Sequence, residues 1–129
     1  MRRAQLIGLA GIVVASGLWA TPAAGQELRQ DGNELLQNCG DAINASDAPT
    51  PLEHGRAMYC MGLVRGVWVM IQMYDEFNDG GGLCTPDGAT VLQMARGVVN
   101  YLKDHPEQLH GDEVGLIFLA LTEAFPCSP

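Results

Sequence analysis

The chain has 129 residues, with fifteen Asp and Glu against seven Lys and Arg, a formal net charge of −8 with histidines neutral. Such a surface repels phosphate backbones and anionic lipid, which argues against nucleic acid and membrane-surface partners and favours basic protein partners or plain solubility. The length supports one domain with a modest core.

The opening stretch MRRAQLIGLAGIVVASGLWATPAAG sets Arg2 and Arg3 ahead of an apolar run of 15 residues, Leu6 to Ala20, followed by small residues. This is the pattern of a secretory signal peptide, and the run falls short of the about 20 apolar residues that a membrane span requires. Cleavage is expected after Gly25, with Ala23 at −3, because a cut after Ala24 would put Pro22 there. Residues 26–129 then form a single periplasmic domain of 104 residues, with five basic and fifteen acidic side chains and a net charge of −10. In that oxidising compartment the four cysteines, Cys39, Cys60, Cys84 and Cys127, are expected to form two disulfides.

Apolar spacing throughout the mature chain is helical, and no segment alternates with period two, so the fold class is all-α, a small disulfide-stapled bundle of four main helices. Asp31 and Glu34 mark the start of a first helix, ending near Ala45, with Leu35, Leu36, Cys39, Ala42 and Ile43 on one face. A second helix is expected from about His54 to Phe77; it is apolar nearly all round and so reads as the buried centre of the bundle. Gly62 and Gly66 lie four apart on it, as if to admit a close neighbouring helix. Thr90 and Gln93 form a capping box that opens a third helix, with Val91, Ala95, Val98, Val99 and Leu102 inward, and His105-Pro106 closes it. A fourth helix runs from about Asp112 to Phe125, with Val114, Ile117, Phe118, Leu121 and Phe125 at core spacing and Leu116 and Leu119 off that face.

Four cysteines permit three pairings. Antiparallel neighbours favour Cys39 with Cys60, which a hairpin of the first two helices brings level, and Cys84 with Cys127, at the outer ends of the last two. On this expectation the cysteine in the terminal AFPCSP staples the last helix to the bundle.

Catalytic and metal-binding patterns are weak. The mature chain has only Ser46 and Ser128, no G-x-S-x-G, and no H-E-x-x-H. His54, His105 and His110 put no two imidazoles on one helical turn, and Phe77 stands where a calcium loop beginning at Asp75 would need an oxygen ligand. Met58, Met61, Met70, Met73 and Met94 have helical spacing and read as core filler rather than a copper(I) site. No cofactor, metal or enzymatic activity is expected.

Four segments, ELLQNC (Glu34 to Cys39), CMGLVRGV (Cys60 to Val67), LCTPDGATVLQMARGVVNYLKDHPE (Leu83 to Glu107) and LALTEAFPC (Leu119 to Cys127), together resemble the type VI secretion amidase immunity family, the Tai or Rap-type proteins. The resemblance spans essentially the whole mature chain in order. It departs from that pattern at Leu63, where the family often has an aromatic, and at Gly115, which interrupts the last helix. It implies a non-enzymatic, helical, disulfide-bonded periplasmic protein, commonly a homodimer. Such a protein binds a peptidoglycan-cleaving amidase effector, occludes its active-site cleft and so protects the wall. A holdase-type periplasmic chaperone is the alternative for a small acidic helical protein. For a cleft-blocking protein the candidate contact is the connector YDEFNDGGGLC: Asp75, Glu76 and Asp79 supply charge, Phe77 an anchor, and Gly80 to Gly82 freedom to fit. The acidic turn Leu109 to Glu113 is the second candidate.

Overall fold

The computed structural model describes residues 30–78 and 82–127; the expected signal peptide, Asp79 and the last two residues lie outside them. Four α-helices follow one another: α1 (Gly32–Ile43), α2 (Pro51–Phe77), α3 (Val91–Asp104) and α4 (Glu113–Ala124), with a 3-10 turn at Pro106–Gln108 between the last two. Among the described residues the only β-type pairing is an isolated bridge between Asp31 and Asp112, and no helix is long and apolar enough to cross a membrane.

Each helix begins on a side-chain cap that satisfies orphan backbone N–H groups. Asp31 Oδ1 accepts from the N–H groups of Asn33 (3.0 Å) and Glu34 (3.1 Å), and Asp112 Oδ1 accepts from Gly115 (2.8 Å). Thr90 and Gln93 form the expected capping box. A second such box, Thr50 with Glu53, starts α2 three residues earlier than the spacing of its apolar residues suggests, with Pro51 in the first turn where its missing N–H costs nothing. The Glu53 carboxylate is held below its ordinary range by the hydrogen bond it accepts from the Thr50 backbone N–H, and then by that from the Thr50 hydroxyl.

Both disulfides form, Cys39–Cys60 and Cys84–Cys127, with Cα atoms 5.1 and 4.8 Å apart. The first joins α1 to α2 in the core, where both cysteines are fully buried. The second ties the entry to α3 to the exit from α4, beside a hydrogen bond from the Cys84 N–H to the Phe125 carbonyl (3.0 Å). In the loop-entropy picture each link stabilises a domain of this size by about 3 to 4 kcal/mol, a large share of the roughly 5–15 kcal/mol that holds a domain folded.

The core consists of Leu35, Cys39 and Ala42 from α1, Cys60, Val64, Val67 and Ile71 from α2, Met94, Ala95, Val98, Val99, Tyr101 and Leu102 from α3, Leu116, Ile117, Ala120 and Leu121 from α4, and Leu83 from the connector. Two expectations change here. First, α2 is not buried on most sides: its inner face alone meets the core, and Met58, Met70 and Met73 stand at the surface instead of filling the interior. A single layer of three short helices has no side chains left to cover the far side of a 27-residue rod.

Second, α4 is rotated from its expected setting, with Leu116 buried and Val114 and Phe118 exposed. Leu116 packs over Gly32, where an added Cβ would lie 2.6 Å from Leu116 Cδ1 and 2.9 Å from Leu109 Cα, so this first position of α1 has no room for a side chain. Gly115 does not break the helix. It sits over its own cap, where a Cβ would be 2.8 Å from Asp112 Oδ2.

Candidate partner-binding surface

The outward face of α2 carries the most exposed apolar side chains of the described residues. From its N-terminal end they are Leu52, Met58, Tyr59, Val69, Met70, Met73, Tyr74 and Phe77. Phe77, the last residue of the helix, is 79 % exposed. The helix ends at Asn78, whose side chain donates to the Tyr74 carbonyl (2.8 Å) and holds that terminus in shape.

Of the four residues expected at the contact, Glu76 and Phe77 are exposed side by side at this end. Asp75 is half-buried, and its carboxylate accepts the backbone N–H groups of Gly82 (3.3 Å) and Leu83 (3.2 Å). It thereby fastens the returning chain to α2 and sets Leu83 into the core one residue before the Cys84 staple. The spacing of seven and eight residues across a glycine-rich stretch hides this role in the sequence. Asp79 lies outside the described residues.

The acidic turn 109–113 offers less than its composition suggests. Asp112 is committed to capping α4, and Glu113 is only 5 % exposed. Glu113 Oε1 accepts a 2.5 Å hydrogen bond from the Tyr59 hydroxyl of α2, while its backbone N–H donates to the Gln30 carbonyl (3.2 Å). The hydrogen bond to this carboxylate, and then burial, push the Tyr59 hydroxyl up to about 12. Nothing in the sequence signals the pair, because its members lie 54 residues apart.

Two shallow grooves flank the N-terminal part of α2, one of about 420 Å³ lined by Glu34, Asn38, Leu52, Arg56 and Tyr59, the other of about 450 Å³ lined by Leu36, Asp41, Glu53 and His54. The second groove also takes in Ser46, and no hydrogen bond links its hydroxyl to His54 among the described residues. Among the described residues no three His, Cys, Asp or Glu side chains group as a metal site, and no cysteine is free.

This helical arrangement, with both staples in place, agrees with the comparison to known families, in which a model of Rap1a immunity proteins matches residues 31–127. The chain belongs to the Rap1a immunity protein family. The match begins at the Asp31 cap of α1 and ends at Cys127, so it takes in all four helices and both disulfides of this Rap1a protein. No curated protein and no solved structure matches the chain significantly.

Proposed function

We propose that this Rap1a protein is a periplasmic, homodimeric, non-enzymatic immunity protein that binds a peptidoglycan-cleaving amidase delivered by type VI secretion and occludes its active-site cleft. The observation that carries the reading is Phe77. An exposed aromatic, set beside Glu76 at the end of a long helix and backed by the Asp75-fastened connector, has the makeup of a plug: a rigid apolar anchor surrounded by charge. An acidic protein suits a target whose substrate groove is lined by basic groups. The signal-peptide pattern and the two disulfides support the periplasm. In this reading Asp75, Glu76, Phe77 and Asp79 make the contact, with Asp75 also holding the connector in place.

The test begins with an amidase encoded beside this gene. The mature protein should bind it and block peptidoglycan cleavage. Phe77→Ala should weaken binding by about 2 kcal/mol with helicity unchanged, and Glu76→Gln/Asp79→Asn, which spares the Asp75 fastening, should mainly slow association at low salt. Undiminished binding by both variants moves the contact away from α2's end. Failure to inhibit any such amidase, together with suppression of aggregation of unrelated proteins, would replace the immunity reading by the chaperone one.

A further inference from the structure

The outward face of α2 has a pattern along its length that the Phe77 contact does not use. Gly55, Gly62 and Gly66 lie on one stripe, and a Cβ added to any of the three would meet nothing within 4 Å. They therefore do not serve the close helix approach inside the domain that their spacing suggests. Beyond Gly66 the same stripe turns bulky, with Val69, Met70 and Met73, each between 39 and 54 % exposed. The glycines thus form a low line along the middle of the face, with bulky exposed residues at matching distances on either side of the Gly62–Gly66 pair, Met58 and Tyr59 before it and Val69 and Met70 after it.

A face whose bulky residues lie at equal distances on both sides of a low glycine pair can be laid against its own copy reversed, which is what a two-fold axis produces. We propose that two copies of this chain pair through the outward faces of α2, antiparallel, with the two-fold axis passing between Gly62 and Gly66. Gly62 of one copy then faces Gly66 of the other, and the backbones can approach closely. Nine residues from the axis on either side, about 13 Å along the helix, Met73 of one copy covers Gly55 of the other. Val69 meets Tyr59 and Met70 meets Met58 in the same register.

Charge selects this face for a second copy. Two molecules that each carry strong negative charge repel over most of their surface. From His54 to Tyr74, however, α2 contains no carboxylate, and its two charged side chains are Arg56, paired with Asp41 of α1, and Arg65. The exposed parts of Met58, Tyr59, Val69, Met70 and Met73, with the glycine backbone between them, come to on the order of 500 Å² per copy, the lower end of what a specific interface of about 1,000 Å² in total requires. Phe77 lies beyond the crossing and remains available to an effector. The proposal rests on the homodimer of the preceding reading and assigns it a surface.

Sedimentation velocity of the oxidised mature protein at micromolar concentration tests it. Wild type should be a dimer. Gly62→Leu, at a position where an added Cβ meets nothing within 4 Å, and separately Met73→Glu should each raise the dissociation constant at least 30-fold with helical circular dichroism unchanged. Leu119→Glu, at an exposed position on α4, should leave the dimer intact. A dimer as tight as wild type in both α2 variants, or one broken by Leu119→Glu alone, overturns the assignment to α2. A monomeric wild type overturns the pairing itself. Titration of the same variants with the amidase reports on the immunity reading independently.

Discussion

Helices α2 and α3 use apolar residues in opposite ways. On α3 the stripe is one-sided: Met94, Ala95, Val98, Val99, Tyr101 and Leu102 are all buried, while Arg96, Asn100, Lys103 and Asp104 face water. Its apolar content and its core contribution coincide. On α2 apolar residues run almost all round, yet only Cys60, Val64, Val67 and Ile71 are buried. A helix in a domain this small presents one face to its own core. Excess apolar surface on the other side therefore signals an external partner more than a deeper position in the fold.

The sharpest way to break that contrast is to truncate one large side chain on each helix. Leu102→Ala on α3 should lower unfolding stability by about 3 kcal/mol, within the usual 2–5 kcal/mol for a fully buried leucine. Tyr74→Ala, which removes a larger side chain from the exposed side of α2, should stay within about 0.5 kcal/mol of wild type. Urea unfolding of the oxidised protein measures both, and comparable losses would mean that α2 is packed on both faces.

The two helices begin alike, which gives the next test. Thr50→Ala and Thr90→Ala each remove one half of a capping box and should each cost about 1 kcal/mol. A negligible loss at Thr50 would restore the later start that the apolar spacing of α2 suggests.

A smaller effect marks where α2 touches α4. Because the folded-state value of Tyr59 lies near 12, above its ordinary value of 10, the bond to Glu113 stabilises the fold fully below pH 10 and loses this contribution as pH rises through 12. Ultraviolet titration should show one tyrosine ionising near pH 12, and that late step should vanish in Tyr59→Phe. Its persistence in the variant would assign the late step to another tyrosine.

Composition was enough to mark Glu76 and Phe77 as candidates, since an acid and an aromatic beside a glycine run stand out in any reading, and the structure exposes both. The same rule misjudged the turn at Asp112 and Glu113. An acid's availability depends on whether a cap or a distant hydroxyl has already engaged it, and Tyr59 is remote in sequence. The glycine line along α2 was in the sequence as well, but glycines at helical spacing read equally as an internal or an external close approach. Only the open space around Gly55, Gly62 and Gly66 separates the two.

The amino-acid order by itself determined what rests on local spacing: four helices, the caps at Asp31 and Thr90, the stop at His105-Pro106, and a cysteine placement that level antiparallel neighbours can bridge in one reasonable way. Periodicity, capping and loop length act over a few residues, so they survive translation into one dimension. Tertiary packing decided the rotation of α4 and the outer face of α2. Glu-Val-Gly-Leu-Ile-Phe-Leu-Ala-Leu is apolar on every side, and its setting follows from Leu116 seating against Gly32 and Glu113 meeting Tyr59. A helix that could bury any of its faces is oriented by the neighbours that leave room for one of them.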